Sequence, residues 1–360
     1  MIENKLCAVI MAGGTGERFW PKSRAARPKQ LLCFTGKDSL LRGTINRLQK
    51  WIPVENILVV TTEKLAATIE LHLPELPRQN MIVEPVGRNT APCLLLAALH
   101  VENKGDPVMV IVPSDHVIQQ NDRFVSIMKA ASSVAAASDV LVTIGINPTS
   151  PETGYGYIMA GQLLTTEGGA RIYSVIRFVE KPDRLTAEKY LAEGNYYWNS
   201  GMFVWRPSIL LSSVQEYLPG ITKKLPQMRR AVADNNQELM NACYHDMPNI
   251  SIDYGVMEKA KNVLVIPGDF GWDDIGSWAA MERIAPADAD GNVLVGGECL
   301  NINSENCIIE AQSKLVATVG VKNMVIVESE DVILICPKER VQDIKSVVNQ
   351  LRLTGKEKYI

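Results

Sequence analysis

The chain has 360 residues, room for one large domain and a small one, and its 46% hydrophobic and 21% charged content is that of a folded globular protein. A formal net charge of −3 provides no basic field for nucleic acid or an anionic membrane, so neither is expected as a partner. Seven cysteines never spaced Cys-x-x-Cys, with four histidines unpaired at ligand spacing, argue against a structural zinc and for free thiols in a reducing compartment. The start lacks a basic segment with an apolar core and cleavage site. The longest apolar run, APCLLLAALHV (91–101), is broken by Pro92 and His100 and too short for a bilayer. A soluble, cytoplasmic protein is expected.

The first 145 residues alternate two patterns. LCAVIM (6–11), NILVVT (56–61), MIVEP (81–85), PVMVIVP (107–113) and VLVTIGI (140–146) read as buried strands. Between them, SLLRGTINRLQKW (39–51, with Ser39 as N-cap), NTAPCLLLAALHVENK (89–104) and RFVSIMKAASSVAAAS (123–138) read as helices. Alternating strands and helices predict a parallel sheet covered on both faces, with ligands beyond the carboxyl ends of its strands. The loops to search are therefore 12–29, 84–92 and 113–118. Farther on, GYGYIMA (154–160), SVIRFVEKP (174–182) and NSGMFVWR (199–206) read as strands of the same sheet or its edge. After residue 288 six short β runs, 292–295 to 331–337, predict a small all-β unit closed by the helical KERVQDIKSVVNQLR (338–352).

The loop after the first strand combines Gly13, Gly14 and Gly16 with five cations (Arg18, Lys22, Arg24, Arg27, Lys29) against one acid, Glu17. It fails the P-loop pattern, and Phe19 stands where a dinucleotide fingerprint needs its third glycine. What remains is a small-residue bend whose amides can approach an anion, with Arg18 and Lys29 able to bind phosphate; a turn followed by a solvated basic stretch is the plainer alternative. Asp115 in VPSDH, just past a buried strand, suits a Mg²⁺ ligand or a turn cap. His116 suits a substrate contact or local packing. The adjacent Asp273 and Asp274 in FGWDDIGSW exceed what one helix cap requires. Glu180–Lys181 and Asn199 suit sugar hydroxyls and a phosphate, or a surface pair and a turn.

Together the motifs MAGGTGERFWPKSRAARPKQ, EPVGRNTAPC, VPSDH, TGYGYI, FVEKP, WNSGMFVW, SIDYGVMEKA and GDFGWDDIGSW, over residues 7 to about 285, closely resemble the sugar-1-phosphate nucleotidyltransferases, and more narrowly the mannose-1-phosphate guanylyltransferases. The resemblance implies an α/β fold with a Rossmann-like sheet flanked by helices (1–287) and a small C-terminal domain like a short left-handed β-helix (288–360). It implies GTP and α-D-mannose 1-phosphate as substrates, Mg²⁺ as cofactor, and GDP-mannose and diphosphate as products. Arg18 and Lys29 would be catalytic. Gly13, Gly14, Gly16, Glu84, Asn89 and Thr90 would bind the nucleotide. Gly156, Glu180, Lys181, Asn199 and Asp253 would bind the sugar phosphate, and Asp115 and Asp274 the metal. A homo-oligomer, a dimer, is expected. Another sugar 1-phosphate or base, or an inactive sugar-nucleotide sensor, is the alternative. No substrate motif lies beyond about residue 285, so 290–360 are expected to serve stability or assembly.

Overall fold

The computed structural model describes residues 6–14, 16–34 and 36–360; Thr15 of the glycine motif lies outside the described residues. The chain packs as two compact units. The first comprises the chain up to Gly13 with Ile45–Pro113 and Ile118–Trp272; the second comprises Gly14–Thr44, Ser114–Val117 and Asp273–Ile360.

The first unit is built on a nine-stranded sheet. β1 (Leu6–Met11), β2 (Ile57–Thr62), β3 (Met81–Glu84) and β4 (Val108–Pro113) pair in parallel in the order β3-β2-β1-β4, as the alternating sequence predicts. Nearly every residue of β1, β2 and β4 is buried, because helices cover both faces. The two-residue β5 (Val117–Ile118) is followed by β6 (Leu141–Ile146), β7 (Tyr157–Glu167), β8 (Ala170–Val179), β9 (Tyr196–Trp205) and β10 (Val263–Gly268). The five expected parallel strands are not contiguous. Antiparallel β9 lies between β4 and β6, its Val204 opposite Val110 on one side and Val142 on the other. β10 runs parallel to β6, and the β7–β8 hairpin completes the sheet in antiparallel pairing.

Helix α1 (Leu40–Leu48) follows Ser39, whose Oγ accepts a bond from the Arg42 amide (3.2 Å). α2 (Glu63–His72) follows β2, and α4 (Asn121–Ala137) precedes β6. α3 (Thr90–Val101) is apolar on every side because it is wedged between the sheet and helices α6 (Pro207–Tyr217) and α8 (Leu225–Ala233). α5 (Arg184–Glu193), α7 (Pro219–Thr222) and α9 (Gln237–His245) complete this unit. Among the described residues no helix is long and apolar enough to cross a membrane.

The first unit ends within the short β11 (Trp272–Asp273); in the second, α10 (Met281–Ile284) precedes β12 (Val293–Gly296), β13 (Cys299–Ile302), β14 (Ile308–Ala311), β15 (Val316–Val319), β16 (Met324–Ser329) and β17 (Val332–Pro337). β12, β14 and β16 stack in parallel, Val293 beside Ile308 beside Val325, and β13 stacks on β15. The chain thus winds in β-helix-like coils, ended by antiparallel β17. The Glu328 carboxylate fastens one coil, accepting bonds from the amides of Gln312 (2.7 Å) and Ser313 (2.8 Å) and from Lys314 Nζ (3.0 Å). Burial pushes this carboxyl up, but those donors outweigh it and bring it to about 2. A 3₁₀ turn (Lys338–Asp343) leads into α11 (Ile344–Leu353).

The described residues 16–34 of the basic loop are largely sheltered from solvent. Phe19, Trp20, Leu32 and Phe34 share one core with Ile275, Trp278, Val293, Ile308, Val325, Ile344 and Val348. Lys22 pairs with Glu310, Arg24 Nη2 with Asp331 (2.7 Å), Arg352 with Glu17, and Trp20 Nε1 donates to the Tyr359 carbonyl (2.6 Å). Two of the five cations that stand out in the sequence, Lys22 and Arg24, are thereby tied to carboxylates of the small β unit. Truncation after residue 288 should strip the loop of this support. The shortened chain is expected to aggregate and to be cleaved faster within 14–34, checked by size-exclusion chromatography and limited proteolysis; an unchanged elution volume and cleavage rate would contradict the shared core.

Candidate active site

The phosphate-binding candidates meet in a cavity of about 280 Å³ within the second unit. Its floor is Lys29, in a 3₁₀ turn (Lys29–Leu31) and only 7% exposed. Lys29 Nζ donates to Asp115 Oδ2 (2.8 Å) and to the Asp274 carbonyl (2.7 Å), and lies 5.8 Å from the centre of the Phe19 ring. Two of its three N–H groups are engaged and one remains for a ligand. Gly16 has φ +65°, and a Cβ there would sit 2.2 Å from Lys29 Cβ. Glycine is therefore required by the close approach of Lys29 as well as by the left-handed backbone.

Arg18 lines the same cavity from the turn Glu17–Phe19. Its Nη1 donates to the Gly276 carbonyl (3.4 Å), while its buried Nε has no acceptor. An orphaned guanidinium donor in a cavity is a ready anion contact. Asp115, His116 and Asp274 add to the polar lining, with Glu17 and Lys345. Burial pushes the Asp115 carboxyl up, but Lys29 and His116 hold it below its ordinary value. Burial lowers His116, only partly offset by Asp115 and Asp274, so the imidazole stays neutral at pH 7.

The two adjacent acids divide. Asp273 is buried in a two-pronged pair with Arg283 (Nη2 to Oδ1, 3.0 Å), and its Oδ1 accepts a bond from the Ile275 amide (2.8 Å). That bond holds a turn in which Ile275 has φ 43°, unusual for a β-branched residue. Asp274 faces the cavity. Among the described residues no group of three or more histidine, cysteine, aspartate or glutamate side chains is arranged to hold a metal. A pair of carboxylates, Asp115 and Asp274, nevertheless fits a divalent ion that completes its shell with phosphate oxygens and water.

The sugar candidates converge in the first unit. The Asn199 amide donates to the Gly156 carbonyl (2.8 Å), and Asn199 Nδ2 donates to Asp253 Oδ1 (2.8 Å). Lys181 Nζ pairs with Glu180 Oε1 (2.9 Å), whereas the buried Glu180 Oε2 has no partner. A Cβ on residue 156 would meet that oxygen at 2.4 Å, so glycine leaves the space in which the orphaned acceptor lies. Asp253 is pushed up to about 6, by burial first and then by the charge of Glu180. Two crowded acids and an amide, with an acceptor to spare, suit a ligand rich in hydroxyl donors.

The remaining nucleotide candidates are differently engaged. Glu84, at the end of β3 and 4% exposed, is pushed up to about 7 by burial, against bonds from Cys93 and Tyr244. A Cβ on Gly13 would lie 4.0 Å from Glu84 Oε2, so the end of β1 runs beside this carboxyl. Asn89 caps α3, its Oδ1 accepting from the Thr90 amide (2.8 Å), with backbone angles of 68° and −173°. Thr90 Oγ1 accepts from the Ile252 amide (2.8 Å). Gly14 lies in open space. Sequence reasoning missed the buried Arg88 Nε, which has no partner, the Arg283 clamp on Asp273, and Lys345, which lines the cavity. Lys345 carries no local signal, since helices commonly expose lysines.

This combination of sheet, glycine bend and paired cavity acids is that of a nucleotide-transferring enzyme. The family model described as Nucleotidyl transferase matches residues 7–291, and the chain belongs to that family. A second model, MannoseP isomerase/GMP-like beta-helix domain, matches 297–351. The chain is 42% identical over 360 residues to a mannose-1-phosphate guanylyltransferase of Klebsiella pneumoniae, covering 98% of this chain and 75% of that protein. To the mannose-1-phosphate guanylyltransferase of Escherichia coli K12 it is 40% identical, covering 100% of this chain and 76% of the relative. A solved structure from Thermus thermophilus, described as a mannose-1-phosphate geranyltransferase, matches with TM-score 0.85 and 33% identity, over 97% of this chain and 99% of that one.

Asp253 provides a pH test of the sugar-side cluster. Its raised value means that the folded protein holds this proton more tightly than the unfolded chain does. The stabilisation from the protonated form is fully present below the unfolded value of 3.8 and is lost as pH rises to about 6. Asp253→Asn, which cannot ionise, is expected to melt about 3 °C above the parent at pH 8, the gap narrowing as pH falls from 6 to 4. Thermal melts across that range check it; a variant less stable at pH 8 would show that the carboxylate holds the cluster together.

Proposed function

We propose that this chain is a mannose-1-phosphate guanylyltransferase, converting GTP and α-D-mannose 1-phosphate into GDP-mannose and diphosphate. The observation that carries this reading is the 40–42% identity to mannose-1-phosphate guanylyltransferases over 98–100% of the chain. The cavity chemistry supports it. A phosphate oxygen of the sugar 1-phosphate, already ionised, attacks the α-phosphorus of GTP. The bond to the oxygen bridging the α- and β-phosphorus breaks, and diphosphate leaves with the electron pair. No strong general base is needed. The protein must instead hold two polyanions in line, an orientation effect of up to roughly 7–11 kcal/mol.

Arg18, with its unpartnered Nε, and Lys29, with one spare N–H, stabilise the charge of the transferred phosphate. Gly13, Gly14 and Gly16 leave room for the triphosphate. Asp115 and Asp274 would hold Mg²⁺, which supplies charge neutralisation at the phosphates when bound. Glu84 serves nucleoside recognition, and Asn89 and Thr90 shape the same loop. Gly156, Glu180, Asn199 and Asp253 receive the sugar hydroxyls and Lys181 its phosphate. A cytoplasmic homodimer, with the sequence divided at 287/288 into catalytic and β domains, completes the proposal.

In a matrix of four nucleoside triphosphates against mannose, glucose and fucose 1-phosphates, GTP with mannose 1-phosphate should give the highest kcat/KM. A site that bonds particular hydroxyls or amines rejects analogues that leave its polar groups unpaired. A preference for UTP or dTTP with glucose 1-phosphate would overturn the guanylyltransferase reading.

The acids are separable. Asp115→Asn and Asp274→Asn should each lose at least about 10²-fold in kcat and stay folded. Asp273→Asn weakens the Arg283 clamp and the Ile275 turn, so its loss should fall on melting temperature, with kcat reduced less than about 10-fold. Rates across a Mg²⁺ titration, with thermal melts, check both; a dead Asp273→Asn beside a near-normal Asp274→Asn would transfer the ligand role.

A further inference from the structure

We propose that Lys345, on α11, is a third cation of the polyphosphate cavity and binds the diphosphate end of the nucleotide. It lines the same cavity as Arg18, Lys29, Asp115 and Asp274, although it follows Asp274 by some 70 residues and belongs to the segment carrying the β coils. Three observations carry the assignment.

The first is charge. The lining holds three cations, Arg18, Lys29 and Lys345, against three carboxylates, Glu17, Asp115 and Asp274. Because Arg352 already pairs with Glu17, Lys345 tips the lining to a net positive charge, which favours a polyanion. The second is availability. Lys29 already donates to Asp115 and to the Asp274 carbonyl, and Arg18 to the Gly276 carbonyl. Among the described residues Lys345 makes no hydrogen bond or ion pair, so none of them competes with a ligand for its ammonium. The third is placement. The neighbouring Ile344 and Val348 are 2% and 1% exposed in the core that contains Phe19, and Arg352 bonds Glu17. The helix is therefore anchored on the very turn that presents Arg18. Lys29 is buried at the floor beside the acids, whereas Lys345 is exposed. The reacting phosphorus belongs at the floor and the departing diphosphate at the rim, where Lys345 can follow it out.

The proposal rests on the transfer reaction above only for the identity of the nucleotide. Calorimetric titration of the full chain with magnesium diphosphate tests it without turnover. Lys345→Gln is expected to weaken diphosphate binding about 10-fold or more, as for loss of a charge-assisted contact. Its KM for diphosphate in the reverse reaction should rise by a similar factor, with kcat changed much less. Lys345→Arg should restore binding to within about 3-fold, because it keeps the charge. Lys356→Gln, outside the cavity lining, controls for the loss of one positive charge and should bind as the parent does. Diphosphate affinity within 2-fold of the parent in a folded Lys345→Gln, or a loss equal to that of Lys356→Gln, would overturn the proposal. If the parent makes no GDP-mannose yet binds diphosphate through Lys345, the reaction assignment fails and the Lys345 site stands.

Discussion

Lys29 sits where three distant stretches of chain meet, and the second unit depends on how its charge is satisfied. Its ammonium joins residues 14–34 to Asp115 and to the Asp274 backbone, while Gly16 packs on its Cβ and Phe19 lies over its tip. Breaking a fully buried ion pair costs about 3–5 kcal/mol. The cost here is lower, because the Asp115 side chain keeps 32% of its exposure. The geometric effect is larger than the energetic one. The same contacts that neutralise Lys29 set the positions of both cavity acids and of the glycine bend.

Much of the sheet was legible in the sequence, for a local reason. β1, β2, β4 and β6 are buried on both faces, and continuous apolar runs report that directly. Where β9 pairs was not legible, because its own pattern of apolar residues is compatible with a central or an edge position. The β coils read as short strands, but their stacking did not. The steps from Val293 to Ile308 and from Ile308 to Val325 differ in length, so no repeat shows.

The site was legible where chemistry is concentrated in motifs and illegible where tertiary packing supplies it. Gly156, Glu180, Asn199 and Asp253, from separate motifs, lie together in the structure. Composition alone could not apportion Asp273 and Asp274; the deciding partner is Arg283, a residue of no motif. Nor did the loop's cations announce their separate fates, Lys22 and Arg24 being structural while Arg18 and Lys29 line the cavity. Several of these groups work against stability. Glu84 and Asp253 are held above their ordinary values by burial, and Glu180 keeps an unpartnered oxygen. Such tension is common where a site is prepared for a ligand.

The bond from Trp20 to the Tyr359 carbonyl, across 339 residues, bears on how the molecule is made. At synthesis rates of about 5–20 residues per second, Trp20 leaves the ribosome roughly 20–70 s before its partner exists. Strands of the large sheet can pair during that interval, but the glycine bend cannot reach its final shape. A nascent chain therefore carries exposed Phe19 and Trp20 and an unassembled anion cavity until the last coil has emerged. Assembly of the cavity is thus delayed until the chain has been translated through Tyr359.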